Sequence, residues 1–209
     1  MRNDVSADGA AKPAGRLPRN AHTERPWRIH ELTGEFRLED VWALPTPGGP
    51  EDFPRLVRLM ASFSPSRSSP VVRLLFALRW KIGALLGWDG RHTDTSSGQP
   101  TLRTRLPHDL RDGPSGPDAR PFTSLYLTGD EWASEIVNRT VHGVLHLAWV
   151  DDGRGGHRGQ MAVLVKPNGR FGAGYMAAIT PFRHAIVYPR MLREIGRQWR
   201  ARSPDDPRA

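Results

Sequence analysis

The sequence predicts an α+β domain in which an antiparallel sheet packs against a long C-terminal helix. Three observations carry that expectation. Residues 140–150 and 157–166 each alternate apolar and polar side chains, and a Gly-rich turn joins them. The period then changes: Phe171, Tyr175, Met176, Ile179, Phe182 and Ile186 are spaced for a helix, followed by Tyr188, Met191, Leu192, Ile195 and Trp199. The last turns are rich in arginine, which suits the C-terminal end of a helix dipole.

Taken in chain order, residues 1–26 lack apolar surface and are expected to be a disordered tail, as are residues 203–209. Residues 27–202 are expected to form one domain. A strand is expected around Arg28 to Leu38, before the firm break Pro45-Thr46-Pro47-Gly48-Gly49-Pro50. Phe53, Leu56, Val57, Leu59, Met60 and Phe63 then mark a first helix. Pro70 opens a second, which runs to about Leu86 behind Ser69 as N-cap. Residues 89–121 read as a long irregular connection with one short helical turn near Leu106 to Leu110. Phe122 to Thr128 and Glu131 to Val137 are short strand candidates, and the 140–166 hairpin follows. Pro181 and Pro189 should kink or interrupt the final helix; the alternative is a strand over 171–179 and a helix beginning at Pro181.

The 209 residues carry a net charge of +8, and no cysteine is present. Disulfides, thiolate metal sites and a cysteine nucleophile are therefore excluded. The first 26 residues hold no signal-peptide core, and Val71 to Trp88 is interrupted by Arg73, Arg79 and Lys81, so no membrane span and a cytoplasmic location are expected. The charge is unevenly spread. Phe53 to Trp88 contributes +6 and Pro181 to Arg202 contributes +5, leaving the remainder mildly acidic.

His142 and His146 form a His-x-x-x-His pair, but the segment alternates like a strand. Four strand steps separate the two Cβ atoms by roughly 13 Å, too far for one metal ion. No metal is expected. Glu135, Asn138, Arg139, His142 and His146 form a dense polar group with two readings: the wall of a cavity able to do acid/base chemistry, or the solvent face of a sheet edge, the second being favoured. Arg183 and His184 could hold an anionic group near a helix start, although a polar helix face beside a kink is the preferred reading. No Walker, Rossmann, Gly-x-Ser-x-Gly or zinc-ribbon pattern occurs, and no cofactor is expected.

Residues 171–188 (FGAGYMAAITPFRHAIVY), with helix two (LFALRWKIGALLGW) and the His146-Leu147 strand, resemble the bacterial proteins grouped as domain of unknown function 2867. Arg183 departs from that pattern, which usually has His there, with His184 following in this chain. The family is similar in layout to the helix-grip fold of START and polyketide-cyclase-like domains. That likeness implies a sheet curled around the last helix, with a cavity for an apolar ligand. Its walls would be Leu145, Leu147, Trp149, Met161, Val163 and Val165 on the sheet, and Tyr175, Ile179, Phe182 and Ile186 on the helix.

Three functions follow. The first is binding of a small hydrophobic or amphipathic ligand in that cavity. The second is an enzyme such as a cyclase or dehydratase, using Glu135, His142, His146 or His184 as acid or base. The third is docking of the basic helices on an anionic membrane surface or nucleic acid. Sequence leaves open the ligand, whether the protein is an enzyme, the oligomeric state and the role of residues 89–121.

Overall fold

The computed structural model describes residues 14–63, 101–138, 141–168 and 183–201. Its centre is a six-stranded sheet in which every neighbouring pair is antiparallel. The strands are β1 (Gly15–Arg16), β2 (Arg37–Ala43), β3 (Thr123–Leu127), β4 (Glu131–Val137), β5 (Val141–Asp151) and β6 (His157–Pro167). Their order across the sheet is β1-β2-β6-β5-β4-β3. The hairpin of β5 and β6 is the longest pairing, running from Val141 opposite Pro167 to Asp151 opposite His157. Its turn needs left-handed backbone at Gly153 (φ +77°) and Gly155 (φ +83°), which side chains disfavour. Asp151 and Asp152 brace it by accepting from the amides of Gly153 (2.6 Å) and Arg154 (2.7 Å).

Both faces of the sheet are covered. On one side lie α2 (Phe53–Ala61) and a C-terminal helix, α4 (Tyr188–Ala201). The stripe Phe53, Leu56, Val57, Leu59 and Met60 of α2, together with Tyr188, Leu192, Ile195 and Trp199 of α4, buries against Trp42, Trp132, Leu147, Trp149 and Met161. Full burial of one such side chain contributes roughly 1.5–3 kcal/mol, so this layer dominates the stability of the helix side. On the other side, Leu17, Trp27, Ile29 and Leu32 join Leu102, Leu106 and Leu110 over Val41, Tyr126, Val144, Ala148 and Leu164. The second layer includes α1 (Asn20–Thr23), α3 (His108–Asp112) and 3-10 turns at Arg28–Glu31 and Leu102–Arg105.

Several expectations change here. The strand expected over Arg28 to Leu38 is replaced by the 3-10 turn Arg28–Glu31, and β2 begins only at Arg37. Trp27, Ile29 and Leu32 all bury on one side without strand alternation, which a turn can do and a strand cannot. Residues 14–26, assigned by composition to a disordered tail, instead supply β1 and α1, with Leu17 and His22 buried. The covering layer also means that the His142 face of β5 is not a solvent face. Of the two expected break points, Pro181 lies outside the described residues; near the other, Arg183–Val187 forms a π-helical turn leading straight into α4. Pro189, lacking an N–H, sits at the second residue of that helix, where a widened turn absorbs the missing bond. Helix two, residues 171–182 and the two termini (1–13 and 202–209) lie outside the described residues.

Candidate functional site

Alternation along β5 turns His142 and His146 toward the covering layer, and the antiparallel partner β4 presents Glu131 and Glu135 on the same side. His146 stands opposite Ala133 and His142 opposite Val137, so each histidine is diagonal to a glutamate. The pairs close at 2.7 Å between His142 Nε2 and Glu135 Oε2, and at 2.9 Å between His146 Nε2 and Glu131 Oε2. All four side chains are buried.

Each carboxylate also holds the layer above it. Glu131 Oε1 accepts from the amide of Arg28 at 2.9 Å, the first residue of its 3-10 turn. Glu135 Oε2 accepts from the amide of Leu102 at 3.0 Å, again the first residue of a 3-10 turn, and Oε1 accepts from the Thr101 hydroxyl. The two glutamates thus cap short helices from across the interface, satisfying amides that no helix can satisfy internally. Burial alone would raise both carboxyls, but the hydrogen bonds from the paired histidines, followed by these other donors, outweigh it and hold each below the usual carboxylate range. The hydroxyl of Tyr126 donates to Glu131 at 3.0 Å, and burial followed by that negative charge pushes the phenol well up.

The chain of rings continues outward. His146 Nδ1 lies 3.2 Å from His22 Nε2, and His22 Nδ1 lies 3.2 Å from His30 Nε2. Burial, then the neighbouring His146 and His30, lower His22 to about 3, so it stays neutral near pH 7. Burial lowers the half-exposed His30 as well. A neutral His22 owns one N–H and must donate on one side while accepting on the other. The chain therefore has one direction at a time. It runs from His30 toward Glu131 when His146 donates from Nε2 and reverses when His146 donates from Nδ1. A cavity of about 360 Å³, lined by Arg25, Trp27, Thr128, Asp130 and Glu131 among others, opens beside this chain.

The fourth expected residue, His184, belongs to a different cluster on the helix side. A bulge between Leu38 and Asp40 puts Asp40 opposite Val163, on the Trp42 and Met161 face. Asp40 is 1 % exposed. Its Oδ1 lies 2.6 Å from His184 Nε2, while Oδ2 accepts from Arg183 at 2.8 Å and from the Tyr188 hydroxyl at 2.9 Å. The anionic group held by Arg183 and His184 is thus the chain's own carboxylate. Burial, then Asp40, raises Tyr188 well above the usual phenol range. Trp42 packs on Tyr188 with ring centroids 4.6 Å apart. The His184 side chain remains 26 % exposed, and among the described residues its Nδ1 has no protein partner.

A family model described as a protein of unknown function (DUF2867) matches residues 32–190. The chain belongs to the DUF2867 family. No curated protein and no solved structure matches it. In this DUF2867 domain the matched span takes in Asp40, His184 and Tyr188, Glu131, Glu135, His142 and His146, but leaves out His22.

Of the expected apolar lining, Leu147, Trp149 and Met161 are buried in the helix-side core, whereas Leu145 and Val163 are half-buried neighbours in register. Tyr175, Ile179 and Phe182 lie outside the described residues. Asn138 turns the chain between β4 and β5, its Oδ1 accepting from the Val141 amide at 2.9 Å. Sequence reasoning missed Glu131, Tyr126, Asp40, His22 and His30. Glu131 was readable, since it shares a strand face with Glu135; Asp40 was not, because only the bulge sends it to the helix side. Among the described residues no group of three or more His, Asp or Glu side chains is placed to hold a metal ion, and no helix is long and apolar enough to cross a membrane.

Proposed function

We propose that this domain binds a small amphipathic molecule against the helix side of its sheet, with the polar end at His184 and the apolar body along Val163 and Leu145. The observation that carries the reading is the contrast within one cluster: a buried Asp40 with three close partners, and a His184 ring that remains partly open. Asp40 engages Nε2, which fixes the ring and leaves Nδ1 for a ligand. Beside it, Asp40, Val163 and Leu145 form one row across β2, β6 and β5. The two apolar members of that row are half-buried, while the next row (Trp42, Met161, Leu147) is fully packed. Tyr175, Ile179 and Phe182 would complete the wall in a helix-grip arrangement.

The same geometry supports acid/base chemistry as a second reading. An imidazole oriented by a carboxylate can take a proton from a bound molecule at Nδ1 or return one to it. Glu135 and His146 do not share this role, because their hydrogen bonds hold Thr101, Leu102 and His22 of the opposite layer; His142 is buried on that same face, away from the Asp40 row.

A fluorescent fatty-acid analogue, dansylaminoundecanoic acid, tests the reading. Saturable binding to the purified protein is expected, lost in Val163→Arg and weakened in His184→Ala. The reading fails if the wild type shows no saturable binding to this probe or to a neutral dansyl-alkyl analogue. It also fails if Val163→Arg folds and binds as well as the wild type.

A further inference from the structure

α4 carries a second pattern, on the face its core residues do not use. Arg190, Arg193, Arg197 and Arg200 recur at intervals of three, four and three, which places them in one stripe along the helix. Opposite lie Tyr188, Leu192, Ile195 and Trp199, buried on the sheet. The stripe is about 15 Å long at 1.5 Å per residue. Arg193, Arg197 and Arg200 are exposed, and so is Arg58 on the neighbouring α2, one turn beyond Arg55, whose guanidinium stacks on Trp199 at 3.8 Å.

The ionic surroundings differ from those on the other side of the molecule. There Arg28 meets Glu31 and Asp109, and Arg105 and Lys166 both meet Glu35. On α4 the single acid Glu194 pairs with Arg197, and Arg193 bonds back to the carbonyl of Pro189. Among the described residues Arg58, Arg190, Arg193 and Arg200 have no carboxylate partner. The four guanidinium groups of the stripe stand about 5 Å apart along the helix, a spacing of the same order as the ~3.4 Å per phosphate of one nucleic-acid strand.

We propose that the arginine face of α4 binds the phosphate backbone of double-stranded nucleic acid without sequence preference. Guanidinium groups suit phosphate oxygens because they donate two parallel N–H bonds. Among the described residues the stripe has no exposed aromatic ring on which an unpaired base would stack, which favours duplex over single strand. Gln198 spends one of its two N–H groups on Glu194 at 2.6 Å, which turns its amide along the helix. A membrane surface fits less well: the apolar side of α4 is spent on the sheet, so the helix has nothing to insert and charge alone would have to hold it.

The test uses the full-length protein and a fluorescein-labelled 20-bp duplex, with affinity read by anisotropy across a salt series. Four phosphate contacts give a slope of log affinity against log salt of about −3.6, hence about a 150-fold loss between 50 and 200 mM salt. Two unrelated sequences should behave alike. Arg193→Gln with Arg200→Gln should halve the slope, reducing the loss to about 12-fold. The charge-matched control Arg19→Gln with Arg37→Gln, both exposed and off the stripe, should leave the slope unchanged. No duplex binding at 50 mM salt would overturn the proposal, as would a slope that the stripe variant and the control reduce equally. Tighter binding to vesicles with 30 % phosphatidylserine than to duplex would overturn it in favour of a membrane surface.

Discussion

Replacing Glu131 by glutamine keeps its shape and removes its charge, which tests the clamp directly. Glu131 accepts from the Arg28 amide at 2.9 Å, the Tyr126 hydroxyl at 3.0 Å and His146 Nε2 at 2.9 Å. The glutamine oxygen must face the Arg28 amide, which can only donate. Its NH₂ then faces Tyr126 and His146, and both can become acceptors, His146 by moving its proton to Nδ1 and reversing the chain through His22. The number of bonds survives, but each falls from the charge-assisted range to the neutral one, about 1 kcal/mol apiece and about 3 kcal/mol in all. A neutral amide also escapes the cost of burying a charge, so the net loss should be about 2 kcal/mol. For a chain of this size that lowers the melting temperature by about 4–8 °C. The pH dependence carries the decisive sign. Because the folded carboxyl lies below its unfolded value of about 4.3, its stabilisation is fully present above that pH and is lost as pH falls through the folded value. Urea unfolding should therefore show a gap between wild type and Glu131→Gln at pH 7 that closes toward pH 3. A gap below about 0.5 kcal/mol at pH 7, or one that stays constant down to pH 3, would refute the reasoning.

Other consequences follow from neighbouring residues. His22 is held at about 3 when folded, so the unfolded chain alone takes up its proton between about pH 6.5 and pH 3, and stability falls as pH drops through that window. His22→Gln should flatten the profile by up to about 1.4 kcal/mol per pH unit, measured by urea unfolding at successive pH values. Gly159→Ala would bring a Cβ to 2.7 Å from Leu56 and 3.0 Å from Leu44, where α2 meets β6. It should cost about 1–3 kcal/mol, checked by the same unfolding assay.

The parts of the fold that sequence made legible are those with an unbroken period. The 140–166 hairpin, the first helix and α4 all repeat their apolar positions regularly, and each appears where the period puts it. The covering layer was hidden because Leu17, Trp27, Ile29 and Leu32 are buried singly, from turns that have no period to read. Its polar composition also suggested a tail, yet His22 and the Arg28 amide are polar groups satisfied by β4 and β5. The candidate site was half legible. His184 stood out beside Pro181, but its partner Asp40 lies 144 positions away in sequence. Regular alternation would also have put Asp40 on the face of Leu38, and the bulge moves it to the other.

The central claim, an amphipathic ligand lying along Leu145 and Val163 with its polar end at His184, is tested most directly by NMR on protein labelled at valine and leucine methyls and at histidine Cε1. Adding the dansylaminoundecanoate probe should shift the Val163 and Leu145 methyls together with His184 Cε1, at one shared dissociation constant. The His142 and His146 signals, clamped on the opposite face, should stay in place. Shifts confined to the His142 face, or a saturating probe that leaves Val163 and His184 unmoved, would contradict the account.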